Sequence, residues 1–201
     1  MQQIMNGITI GMTYALIAVG YSLVFGILRL VNFSHGSVYA FGANSILFLI
    51  SLNFGIVPSI LTGILITGIL GVIVDKTALE PLRKKNAEGI TSLITTIGVS
   101  SVITNLLIAR LGSQKKSFPS LFPAGAVAVG GISFTYSQIG MFLISLTLLV
   151  GLLLVVEKTK IGLAMRASEQ NITAAKLMGV NVNFIISFTF FLGGVSAAIA
   201  G

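Results

Sequence analysis

Residues 36–74 read GSVYAFGANSILFLISLNFGIVPSILTGILITGILGVIV, 39 in a row without one Asp, Glu, Lys or Arg. At about 1.5 Å per residue, a single helix of that length would be about twice as long as the hydrocarbon core is thick. The run must therefore cross and return. Asn53-Phe-Gly-Ile-Val-Pro58 supplies the turn, with Gly55 flexible and Pro58 suited to a helix start. Spans are expected near 37–52 and 58–74.

The same pattern extends outward in both directions. Residues 1–28 carry no charge, so Ile4 to Leu28 is a first span, closed by Arg29. Beyond Val74, a loop from Asp75 to Glu88 sets Lys76, Arg83, Lys84 and Lys85 against three acids. Residues 90–109 form a fourth span. Arg110 to Gln138 differs in kind. It holds Pro119, Pro123 and Gly130-Gly131, and its flanks Ala126-Val-Ala-Val and Ile132-Ser-Phe-Thr-Tyr read as two short strands around a Gly-Gly turn, a hairpin outside the membrane. Ile139 to Val156 is a fifth span, 157–183 a charged loop, and Phe184 to Gly201 the start of a sixth. The predicted architecture is an all-α polytopic membrane protein, one transmembrane domain over 1–201. Because the last residues lie within an apolar run, the C-terminal part of that domain is expected to be missing.

Composition supports lipid as the main solvent. Of 201 residues, 55% are hydrophobic and only 8% charged, against about 25% charged in an ordinary soluble domain. Cysteine is absent, which excludes disulfides, thiolate metal sites and Cys nucleophiles. The net charge of +7 lies in loops between apolar runs, a pattern that sets topology and meets anionic lipid rather than nucleic acid. No Lys or Arg precedes the first run, so it is not a cleavable signal. The 75–88 and 157–183 segments carry four Lys or Arg each, and 110–137 carries three. The first two are therefore expected in the cytoplasm, the 53–58 turn and the hairpin outside. Alternation then puts Arg29–Gly36 inside and Met1 outside.

Candidates for chemistry are few. The single histidine, His35, sits in Asn32-Phe-Ser-His-Gly36. It reads either as a pathway or gate residue, or as an interfacial residue where Asn32 or Ser34 caps the next helix. A lone His builds neither a zinc site nor a triad. No acid falls within any predicted span, so the buried carboxylates of proton- and sodium-driven carriers are missing. Thr91, Ser92, Thr95, Thr96, Ser100, Ser101 and Thr104 stud the fourth span, either lining a polar path or bonding to their own helix and its neighbours. No Walker loop occurs. Arg83-Lys84-Lys85 reads as a topology anchor. Small residues such as Gly7, Gly11, Ala15, Gly20, Gly26, Gly63, Gly68 and Gly71 would let helix backbones approach closely.

The segment 162–179 is the remaining handle. Gly162 can break the fifth span, Ala164 to Met178 favours one helix, and Gly179 sits where a left-handed cap would end it. Ile172, Ala175 and Gly179 share a face, while Arg166, Glu169 and Lys176 offer charges to a partner. It is a short docking helix or a solvated connector.

Here a resemblance enters. Gly162-Leu-Ala-Met-Arg-Ala167 together with Ala174-Ala-Lys-Leu-Met-Gly-Val-Asn181 resembles the branched-chain amino-acid permeases of ABC importers, in their LivH-type branch. Asn6 through Gly20, Leu30-Val-Asn-Phe-Ser-His-Gly36, Glu80-Pro-Leu-Arg83 and Thr95-Thr-Ile-Gly-Val-Ser100 agree along the chain. Thr173 stands where the general motif has Glu, and family members continue for further helices. The resemblance implies a bacterial inner-membrane permease working by alternating access. It implies a second, LivM-type permease, two cytoplasmic ATPase subunits that bind ATP and magnesium, and an extracytoplasmic solute-binding protein. This chain would hold no cofactor or metal. Met165, Arg166, Ala167, Ser168, Glu169, Ala174, Ala175 and Gly179 become the ATPase-coupling candidates. Asn32, Ser34, His35, Thr95, Thr96 and Ser100 become those for a path or gate. Urea or short-amide permeases look similar. A channel, a secondary transporter and an intramembrane enzyme are the competing classes, the last without the paired acids it needs.

Overall fold

A computed structural model describes residues 2–28, 31–85, 87–112, 118, 123, 125–129 and 132–201. Its helices are α1 (Gln2–Leu28), α2 (His35–Ser51), α3 (Ile56–Val74), α4 (Glu80–Lys84), α5 (Gly89–Leu111), α6 (Tyr136–Lys158), α7 (Lys160–Gln170), α8 (Ile172–Leu177) and α9 (Val182–Ala200). Among the described residues, five helices are long and apolar enough to cross a membrane. The sixth, α2, has 17 residues, at the short end of the spanning range.

The chain alternates between two ends. Asn6 accepts a hydrogen bond from Gln138 at 2.7 Å, so α1 and α6 begin side by side. At the far end of α1, Gly26 lies against the Glu169 carboxylate of α7. The basic residues of 75–88 and 157–183 gather at this second end, as the charge count requires. Arg29, which closes the first predicted span, lies outside the described residues. At the opposite end β1 (Ala126–Val129) pairs antiparallel with β2 (Ile132–Thr135), Ala126 facing Thr135 and Val129 facing Ile132. Pro119 and the Gly130-Gly131 turn lie outside the described residues. Thr135 and Gln138 then form a capping box at the start of α6.

The packing centre is α9, which contacts α1, α2 and α3. Van der Waals fit rather than hydrophobicity holds helices together in lipid, so close backbone approach matters. A methyl group at Gly71 would sit on the Phe190 carbonyl, and one at Gly194 would lie 2.6 Å from the Thr67 carbonyl oxygen. Gly20, Gly63 and Gly68 likewise face a neighbouring helix, whereas a methyl group at Gly7 or Gly11 would meet no neighbouring group within 4 Å among the described residues. Around α9 the buried core gathers Val24, Val38, Val74, Ile186, Phe190 and Ala197.

Three expectations need correction. The 75–88 segment is not a loop: α3 runs on through a π-helical turn at Asp75–Leu79 into α4, giving a helical span from Ile56 to Lys84. Pro81 explains the turn. It lacks an N–H and its ring crowds the carbonyl four residues back, so the backbone widens ahead of it. Second, Asp75 is thereby carried into the helical span and is 0% exposed, so an acid does lie within the packed helices. Third, Gly162 does not break α6. The corner is at Thr159, whose hydroxyl accepts from Gly162 N–H at 3.0 Å, and Gly162 is glycine because the Val155 and Val156 carbonyls crowd it.

Candidate functional site

The predicted coupling helix is two helices. Asn171 interrupts it with extended backbone, and its side chain accepts from Ala174 N–H at 3.0 Å, capping α8. Gly179 adopts φ +84°. Its N–H donates to Lys176 O and that of Val180 to Ala175 O, both at 3.0 Å. This is the Schellman arrangement, and only a residue that tolerates positive φ closes it without strain.

Inside this corner the side chains divide sharply. Met165, Ser168 and Ala175 are buried, Ser168 donating to Ala164 O at 2.8 Å. Ala167 is half-buried against the core. Arg166 turns back on its own fold and donates to Val156 O at 3.0 Å and Glu157 O at 3.3 Å. Glu169, Ala174 and Gly179 are exposed. The most exposed apolar groups are two that the sequence reading passed over, Leu177 and Met178, each 84% exposed. They form an apolar tip on α8 at the basic end of the molecule. The signal was present in the alternation of Ala175 with Leu177-Met178 ahead of a glycine cap, but composition alone does not say which side faces out.

A second polar group forms where α2 begins. Asn32, Ser34 and His35 are buried. Asn32 Oδ1 accepts from Ser34 N–H at 3.1 Å and from Ser34 Oγ at 2.6 Å, while Ser37 Oγ donates to Ser34 O at 2.8 Å. Phe33 N–H donates to Thr96 Oγ1 of α5 at 3.3 Å. Neither predicted cap holds in its simple form, because Ser34 makes no side-chain cap to α2. His35 is not at a headgroup-level surface. Its ring packs edge-on to Tyr21 at 5.9 Å and lies beside Gly193 in α9. Among the described residues its buried Nε2 has no partner. Of the fourth-span candidates, Thr96 joins this group; Thr95 bonds its own helix through Thr91 O at 2.8 Å, and Ser100 is half-buried on α5.

The third group was missed. Asp75 Oδ1 accepts from Arg83 Nη1 at 2.6 Å, and Asp75 Oδ2 accepts from Ser187 Oγ of α9 at 2.6 Å. Arg83, half-buried, is thus tied to the helix interior through Asp75. Lys76 and Lys84 instead flank Glu80, at 2.8 and 2.9 Å. Among the described residues no three His, Asp or Glu side chains converge as a metal site.

A bundle of apolar spans, knit by small residues, with a capped pair of short helices at its basic end, defines a multi-pass helical membrane protein. The family described as branched-chain amino acid transport system / permease component matches residues 3–201, and the chain belongs to it. It is 34% identical to the high-affinity branched-chain amino acid transport system permease protein BraD of Pseudomonas aeruginosa and 32% identical to LivH of Escherichia coli K12. Each alignment covers 100% of this chain and 69% of the relative. The galactofuranose transporter permease YtfT of Escherichia coli is 30% identical over 93% of the chain and 51% of its own length. No solved structure matches.

Proposed function

We propose that this chain is a membrane subunit of an ATP-driven importer that carries leucine, isoleucine or valine across the bacterial inner membrane. The observation that carries the reading is identity of 32–34% along the whole chain to permeases named for branched-chain amino acid transport. The exposed Leu177–Met178 tip supports the mode of driving, since an apolar group on a rigid capped helix is suited to a groove on another protein. In this reading α7 and α8 face the cytoplasm, consistent with the basic residues at that end. Two ATPase subunits hold ATP and magnesium and seat α8. A second, LivM-type permease completes the passage, and an extracytoplasmic binding protein delivers the solute. The Asn32, Ser34, His35 and Thr96 group is the candidate stretch of path or gate. The spans move as near-rigid bodies when the ATPase pair closes.

The test is uptake of radiolabelled leucine by proteoliposomes holding the assembled transporter. Uptake is expected only with ATP and binding protein together, and to be competed by isoleucine and valine. Uptake by this chain without ATPase subunits, driven by an ion gradient, would refute the reading. Competition by urea, short amides or a sugar but not by valine would replace the substrate while leaving the driving mechanism.

A further inference from the structure

Asp75 occupies a position that neither helix packing nor membrane topology demands. Its carboxylate is buried among helices, and its two oxygens are divided: one is held by Arg83 on α4, the other by Ser187 on α9, 112 residues away in sequence. A buried ion pair is weak evidence for stability, because well-packed apolar groups of similar volume often do as well or better. What it supplies is direction. Hydrogen bonds and charge fix one helix against another in a way apolar contact does not.

Three observations indicate what is being fixed. First, Ser187 lies on the helix that follows α8 directly: the Schellman turn at Gly179 leads into α9 at Val182. A displacement of α8 therefore reaches Ser187 within two turns of rigid helix. Second, Asp75 opens a π-helical turn that packs against both α9 and α5. Such turns are often found at functional sites. Third, the contact has room to change. Among the described residues Arg83 Nε and Nη2 are buried without partners, so the guanidinium can hold the carboxylate through other donors after a shift. An open cleft of about 560 Å³, lined in part by Val72, Lys76, Asn183 and Phe188, borders Ser187.

We propose that Asp75, with Arg83 and Ser187, is the positioning contact through which movement of the α8–α9 unit is passed to α3, α4 and α5. This rests on the reading of the chain as an ATP-driven permease. Ser187 reports the position of α9, Asp75 takes it up at the π-helical turn, and Arg83 holds the carboxylate throughout.

The experiment measures leucine taken up per ATP hydrolysed, in proteoliposomes of the assembled transporter. Ser187→Ala removes one hydroxyl and leaves the ion pair. It is expected to assemble and hydrolyse ATP within about twofold of wild type while uptake per ATP falls at least about fivefold. Ser187→Thr, which keeps the hydroxyl, is expected to restore the ratio. Asp75→Asn combined with Arg83→Met removes both charges without stranding either, and is expected to be uncoupled as well. Wild-type uptake per ATP in Ser187→Ala and in the double variant would overturn the proposal. So would a Ser187→Thr variant as impaired as Ser187→Ala, or failure of Ser187→Ala to assemble, either of which would make the group a packing element only. A wild-type transporter that takes up no leucine with ATP would instead sink the parent reading.

Discussion

The Arg166 guanidinium lies 3.0 Å from the carbonyl oxygen of Val156, across the corner between α6 and α7. The last carbonyls of a helix have no partner within it, and the helix dipole is negative there. Arg166 answers both by closing the end of α6 from eight residues beyond it. Arg166→Ala is therefore expected to cost about 1.5–3 kcal/mol, the range for a hydrogen bond to a charged group, read as a lower unfolding temperature in detergent. Arg166→Lys keeps the charge but loses the planar fork, so an intermediate value is expected. Arg166→Glu should lower the yield of folded protein. If it left thermal stability intact and abolished coupling, the guanidinium would have to be acting on a partner instead.

Leu177 and Met178 present the opposite case. Both are 84% exposed, so their replacement should leave the fold within about 0.5 kcal/mol of wild type. Leu177→Ser with Met178→Ser is expected to keep the unfolding temperature and lose co-purification with the ATPase subunits. Retained ATPase binding would move the docking surface elsewhere on α7 and α8.

Much of this architecture was readable from charge and apolar length, because lipid permits few alternatives. The turn at Asn53–Pro58 is a case: Asn53 and Gly55 take positive φ, and Pro58 falls in the first turn of α3. The left-handed cap at Gly179 was equally legible, since local chemistry decides it. What escaped was anything set by packing in three dimensions. Charge at Asp75 looked like the edge of the membrane, yet the helix runs on through the π-helical turn and Asp75 is buried against a serine far along the chain. Asn171 was legible in principle as a helix N-cap, but high helix propensity on both sides hid it. His35 read either as a path or gate residue or as an interfacial one, and its burial depends on the chain between α1 and α2 entering the bundle, which no local pattern announces.

Gly179 supports a prediction of a different kind. At φ +84° a side chain is strained, so Gly179→Ala is expected to cost about 1–2 kcal/mol, and Gly179→Asn less. Because the Schellman turn joins α8 to α9, the loss should appear locally, as faster amide exchange at Gly179 and Val180 with the α3–α9 core unchanged. Uniform loss of protection throughout the bundle would contradict a local role.

Thr96 joins the chain ahead of α2 to the body of the molecule. Its hydroxyl accepts from Phe33 N–H at 3.3 Å and donates to Leu93 O at 2.8 Å. Thr96→Val has nearly the same shape but leaves the part-buried Phe33 N–H without that acceptor. A cost of about 1–3 kcal/mol is expected. Thr96→Ser keeps the hydroxyl and removes one methyl, for about 0.8 kcal/mol. The order of unfolding temperatures should therefore be wild type, Ser, Val. Transport kinetics separate anchoring from direct contact with solute: for an anchor, Thr96→Ser leaves the KM for leucine unchanged, and Thr96→Val loses uptake in proportion to folded protein. A KM shift in Thr96→Ser at unchanged stability would place the hydroxyl on the solute's route.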